Sequence, residues 1–199
     1  MGGLSGSALL QRVGDGNKVQ QFVALLKGRL PGRSYRLLYT WSRDGRSGPS
    51  FHQRCDNQVR ARAFARAAAA RLTAGQGPTL VIVRSTTGHT FGGYASAPWN
   101  SADDWIDAAG CFLFLVENPH GDAPTCFECK DNGYAMYGSS AWGPLFGGGA
   151  GDLYISSDGS SSWTALSYSY TNTLGRGNAT FTGATYFTLE DYEVWAAAT

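Results

Sequence analysis

The sequence predicts an α+β domain, an antiparallel β-sandwich flanked by helices, on three observations. Short apolar or alternating runs rich in Tyr, Phe, Trp and Val recur between turn signals along most of the chain, which is the pattern of antiparallel strands. Twenty-seven glycines and 13% aromatic residues favour tight turns and aromatic strands over a helical bundle. Two stretches of helical character stand near the start, apart from the main set of strands. At 199 residues the chain is long enough for one domain with a substantial core. Its 43% hydrophobic and 16% charged residues are globular values that argue against wholesale disorder.

Taken in order, residues 1–17 are Gly- and Ser-rich, close on GDGN, and read as a flexible lead-in to a domain spanning 18–199. From Lys18, the residues Val19, Phe22, Val23, Leu26 and Leu30 recur at helical spacing and make one apolar stripe. Gly28, Pro31 and Gly32 bring that helix to a close. Ser34–Thr40 (SYRLLYT) reads as a strand, Trp41–Pro49 as a charged turn, and Phe51–Asn57 (FHQRCDN) as a short helical segment. Val59–Leu72, VRARAFARAAAARL, is the most helix-prone run, because alanine and arginine lose little freedom on entering a helix. Arg62 and Arg66 lie on one side of it, Arg60 and Arg71 on another, and Phe64 is nearly its whole apolar surface. It reads as an exposed basic helix, and these four arginines are the candidate interaction residues.

Thr79–Trp99 predicts a hairpin, with Leu80–Val83 as one strand, a turn bearing Gly88, and Thr90–Ser96 as the other. Gly92 and Gly93 weaken the second strand and so mark a close approach, with Tyr94, Pro98 and Trp99 the expected neighbours. Cys111–Glu117, Tyr134–Tyr137, Asp152–Ser156 and the Tyr168–Tyr170 region add strands, a Ser/Gly loop (SSDGSSS) separating the last two. Phe181–Trp195 alternates and ends strand-like. There is no internal repeat.

The net charge of +1 hides a division. Residues 1–100 hold fourteen of the sixteen Lys and Arg and three of the fifteen acids, a balance of +11; the remainder carries −10. The preferred reading is that the two halves interleave and offset one another, with the basic helix the exception. RNA is disfavoured as its partner, since no aromatic platforms interleave with its arginines. No apolar run approaches the roughly 18 residues that span a bilayer. MGGLSGSALLQR has neither a charged n-region nor a long apolar core, and Gly6 stands where a myristoylation motif wants Ser or Thr. Reduced thiols in a cytoplasmic protein are therefore the expectation for Cys55, Cys111, Cys126 and Cys129.

No catalytic, metal or cofactor site emerges. His52, His89 and His120 sit in no local triad pattern, and GSSAWG lacks the nucleophile-elbow spacing. Cys55 follows His52 by three residues, but a buried thiol beside a satisfied histidine is the commoner arrangement. Cys126 and Cys129 form C-x-x-C, half of a structural zinc site that needs a second pair. GGGAG at 147–151 lacks the G-K-[ST] ending and leads into a strand, so no helix dipole backs a phosphate there. Asn178-Ala179-Thr180 is a formal glycosylation sequon without meaning in a cytoplasmic chain.

The order of the motifs carries more than any one of them. LLYTWSRDG, FHQRCDN, GPTLVIV, FGGYASAPW, FLF, GPLFGGGAGDLYI and the closing LEDYEVW follow one another over roughly residues 19–196. In that order they resemble the TLDc domain family, to which the oxidation resistance proteins belong. The residues carrying the resemblance include Arg43, Asp44, Gly45, Phe51, His52, Phe91, Gly92, Gly93, Tyr94, Trp99, Gly147, Gly148 and Gly149. The resemblance implies a sandwich of antiparallel sheets with helices around it. It implies protection from oxidative damage and binding to the vacuolar-type proton ATPase, with no established catalytic constellation. A structural role in another large cytoplasmic or cytoskeletal assembly, or a thiol-based antioxidant activity, are the alternatives. Two features depart from the family pattern: a basic insertion at about 58–76, and the Cys126/Cys129 pair.

Overall fold

The computed structural model describes residues 4–30, 34–56 and 78–198. The basic helix expected at 59–72, with Arg60, Arg62, Arg66 and Arg71, lies outside them. Two single 3-10 turns, Leu4–Gly6 and Leu10–Arg12, precede helix α1 (Gly16–Arg29). Asp15 starts that helix by accepting the Asn17 N–H at 2.9 Å, an N-cap that satisfies one of its orphan donors. Strand β1 (Ser34–Thr40) runs into a single helical turn, α2 (Trp41–Asp44), and then α3 (Gly48–Cys55). The charged turn expected at 41–49 is therefore partly helical. Asp44 folds it by accepting the Thr40 N–H at 2.8 Å.

Eleven further strands follow: β2 (Thr79–Ser85), β3 (Thr90–Ala95), β4 (Asp104–Ile106), β5 (Phe112–Glu117), β6 (Thr125–Glu128), β7 (Met136–Gly138), β8 (Leu145–Phe146), β9 (Leu153–Tyr154), β10 (Ser162–Thr164), β11 (Tyr186–Phe187) and β12 (Leu189–Ala198). With β1 they form two antiparallel sheets of six, in the orders β1-β12-β2-β3-β5-β6 and β11-β10-β9-β8-β7-β4. The fold is the β-sandwich with flanking helices that the sequence predicts.

The first sheet is covered on both faces. Val81, Val83, Phe91, Leu113 and Leu115 point to the second sheet, meeting Met136, Phe146, Leu153 and Ile155 in one buried cluster. Leu80, Ile82, Phe112, Phe114 and Val116 point the other way, into a second cluster with Phe22 and Leu26 of α1. This explains why LVIV and FLFLV read as unbroken apolar runs rather than alternating ones. The lead-in at 1–17 belongs to the same cluster: Leu4, Leu9, Leu10 and Val13 are buried there, so residues 4–13 are packed rather than a loose arm. Their apolar side chains are too few and too irregularly spaced to show a period, and glycine content misled.

Two other expectations change. The neighbours of the bare backbone at Gly92 and Gly93 are Phe114 and Phe146, not Tyr94, Pro98 and Trp99. A Cβ on Gly93 would stand 2.6 Å from the Phe146 ring, so the second sheet can approach only because that position is glycine. Tyr168–Tyr170 is not a strand, since its N–H groups turn inward to one carboxylate, described below; Tyr170 makes only an isolated bridge to Cys129.

Candidate interaction face

Most of the motif residues are structural. Phe51 lies between the rings of Tyr39 and Trp99, and Trp99 meets Phe146 edge-on at 5.3 Å, so α3, the end of the hairpin and the second sheet share one aromatic knot. Phe91 stacks on Phe181 within the same core, and Tyr94 on Phe112 at the other face. Arg43 grips the Asp44 carboxylate with two nitrogens, and that pairing holds Asp44 below the usual carboxylate range. Gly45 takes φ +121° and its carbonyl accepts the Tyr39 hydroxyl. His52 clasps two loops: Nδ1 meets Asp56 at 2.7 Å and Nε2 meets the Trp142 carbonyl at 2.9 Å, while Asp56 also accepts the Ser101 hydroxyl. Cys55 is buried behind it and does not reach the ring through any hydrogen bond described; burial pushes its thiol far up.

Gly147, Gly148 and Gly149 cradle no phosphate. Gly147 lies against Asp152, where a Cβ would come within 2.1 Å of the carboxylate, and the Gly148 N–H donates to the Ser169 hydroxyl. The Asp152 carboxylate accepts the backbone N–H groups of Ser167, Tyr168, Ser169 and Tyr170, which folds the 167–170 loop over the glycines. Burial pushes Asp152 above the ordinary carboxylate range against the pull of those four donors. This is an anchor for a loop, with every oxygen occupied.

The thiols do not assemble either. All four cysteines are free; Cys126 and Cys129 sit on and just after β6. Burial pushes Cys126 up to about 11, although the Arg29 guanidinium beside it pulls the other way. Among the described residues, no group of three or more His, Cys, Asp or Glu is placed to hold a metal ion. No helix among them is long and apolar enough to cross a membrane.

What the fold does build is an aromatic face. Among the described residues, the second sheet is covered by another layer on its inner side only. On its outer side, Trp105 of β4 pairs with Tyr137 of β7, Tyr137 with Leu145 of β8, and Leu145 with Tyr154 of β9. Tyr154 pairs in turn with Trp163 of β10, and Trp163 with Tyr186 of β11. Six strands thus contribute one apolar side chain each, in direct register from edge to edge. Trp142 closes over this row, with its ring 5.7 Å from Tyr137 and 6.0 Å from Tyr154. Trp163 packs on Tyr154 at 4.1 Å, its Nε1–H held by the Ala150 carbonyl. Tyr134 and Tyr168 continue the chain of rings past Trp105. Between Trp105, Tyr137, Trp142, Leu145 and Trp163 lies a cleft of about 360 Å³, floored by the backbone of Gly149 and Ala150. Trp142 is 46% exposed and Tyr186 73%, although large apolar side chains usually seek burial. Leu145 and Tyr154, in the middle of the row, are buried, so the exposed part of this face is carried by the rings on either side of them and by Trp142; exposed apolar surface marks interaction sites more often than chance.

None of these residues was singled out from the sequence. The signal is one outward side chain on each of six strands two or three residues long, and only the register reveals that they align. Compared with known families, the chain matches the model described as TLDc domain over residues 11–198. No curated protein matches it.

Proposed function

The chain belongs to the TLDc domain family, and from that premise we propose that it is a non-enzymatic protein-interaction module that regulates a large assembly. The vacuolar-type proton ATPase is the first candidate, and protection from oxidative stress would follow from that regulation. The single observation that carries this reading is the family match over nearly the whole chain. The aromatic outer face of the second sheet supports it, since it is a surface for a partner and not a pocket for a reaction. The basic run at 60–71 is a second proposed contact, through Arg60, Arg62, Arg66 and Arg71, which suit bidentate pairing with carboxylates.

The test is affinity capture from a native lysate with the full chain, compared with Trp142→Ala and with a variant lacking 58–76. Recovery of proton-ATPase subunits, reduced by either change, is the expected result. Stoichiometric capture of cytoskeletal or other assembly components instead would favour a structural role there. Failure to retain any partner from lysates of several tissues or growth states would overturn the module reading. A thiol-based antioxidant activity is the third reading, and burial of the Cys126 thiol weighs against it.

A further inference from the structure

We propose that the aromatic face of the second sheet takes a lysine- or arginine-bearing segment of a protein partner, laid in extended form across the strands. This rests on the reading of the chain as an interaction module and adds the chemistry of what docks. The row from Trp105 to Tyr186 crosses five strand-to-strand spacings, which is about 24 Å, the length of roughly seven residues of extended chain. Leu145 and Tyr154 at its middle are buried, and the rings left accessible, Trp142 and Tyr186 foremost, have negative quadrupoles that attract a guanidinium or ammonium group.

Four carboxylates near the row form no ion pair among the described residues. Asp103, Asp104 and Asp107 flank Trp105, and Asp158 tops the turn between β9 and β10 beside Tyr154. All four are exposed, and none pairs with a cation among the described residues. Asp103 and Asp158 bond only to serines and local backbone. The acids around the first sheet are different. Arg12 and Arg84 neutralise Glu190, Arg84 reaches Glu117, and Arg29 holds Glu128. Among the described residues, Lys130, next to the Tyr168 end of the chain of rings, is engaged on the Ser167 and Tyr168 carbonyls.

Aromatic faces rimmed by unpaired carboxylates select a cation-bearing chain over the alternatives. A nucleic acid could stack its bases there but would bring phosphates against Asp104 and Asp107. A wholly apolar segment would desolvate those carboxylates without pairing them. Arginine fits best, because its planar group stacks on a ring and pairs with a carboxylate at the same time.

The probe is a fluorescein-labelled peptide of alternating arginine and serine, roughly eight residues long. It is titrated against the full chain by anisotropy, beside leucine–serine and glutamate–serine peptides of equal length. The arginine peptide should bind at least about tenfold more tightly than either, and should weaken severalfold between about 50 and about 200 mM salt. Asp104→Lys combined with Asp107→Lys should cost about tenfold with the circular dichroism and melting curve unchanged, since both positions are exposed. Trp142→Ala should cost a similar factor. Equal binding of the leucine peptide, indifference to the charge reversal, or binding that appears only once 58–76 is deleted would overturn the proposal. The last outcome would make the chain's own arginines the occupant. Native-partner capture abolished by Trp142→Ala, without arginine-peptide binding, would reject the cation chemistry and leave the module reading standing. Peptide binding with no native partner captured would do the reverse.

Discussion

Glu193 is 2% exposed, yet it carries its carboxylate into the packed side of the first sheet. It is held there by three donors: the Ser7 hydroxyl at 2.6 Å, the Ala8 N–H at 3.0 Å and the Trp195 indole N–H at 3.0 Å. A single side chain thereby ties the N-terminal turns to β12. Glu193→Ala leaves two buried donors and one part-buried donor without an acceptor, and we expect a loss on the order of 3 kcal/mol, read as a lowered midpoint in urea. Ser7→Ala, which removes one donor and leaves the carboxylate its others, should cost about 1 kcal/mol; equal costs for the two would show that the carboxylate is not what holds the segment. Cys126 gives the pH-dependent prediction. Burial raises its pKa to about 11 from an ordinary thiol value of 9.0, so the proton stays on through the neutral range. Since the thiolate is the reactive form, alkylation of Cys126 near pH 8 should run about a hundredfold slower than a free thiol, rising only as pH approaches 11. Mass-spectrometric alkylation rates across that range check it, and a rate plateau reached below pH 8 would restore the antioxidant reading.

At the scale of elements, the insertion at 58–76 is the piece the domain can be asked to do without. Its two roots are close: Asp56 bridges to Trp99, and the Trp99 indole donates to Thr79 at the start of β2. A short linker joining Asp56 to Pro78 would leave both sheets intact, so we expect deletion of 58–76 to preserve the circular dichroism spectrum and melting temperature while weakening partner capture in a salt-dependent way. A collapsed fold would mean the run serves the core. The long elements were legible in the sequence, α1 from its stripe of Val19, Phe22, Val23 and Leu26, and β1, β2, β3, β5 and β12 from their apolar runs. The strands of the second sheet were legible only in part. Leu145–Phe146, Leu153–Tyr154 and Tyr186–Phe187 are two residues long, and a period of two cannot show in so short a span. The aromatic face stayed hidden for that reason, while Tyr168–Tyr170 looked like a strand and is a loop wrapped on Asp152.

Across the whole molecule the layers are unequal. The first sheet is wrapped by α1 and the N-terminal turns on one face and by the second sheet on the other, whereas among the described residues no further layer covers the outer face of the second sheet. The division of charge along the sequence is partly resolved around the first sheet, where Arg12, Arg29 and Arg84 of the basic half meet Glu117, Glu128 and Glu190 of the acidic half in ion pairs. In the first sheet β12 lies between β1 and β2 and joins the edge strand β1 to the rest. Ser7 and Ala8 reach it across separations of 186 and 185 residues. On the ribosome, then, β1 and β2 emerge early and wait with unpaired edges until residues 189–198 have cleared the exit tunnel. The first sheet closes only when β12 is available, and until then β1 and β2 offer open β-edges that can pair with the wrong strand.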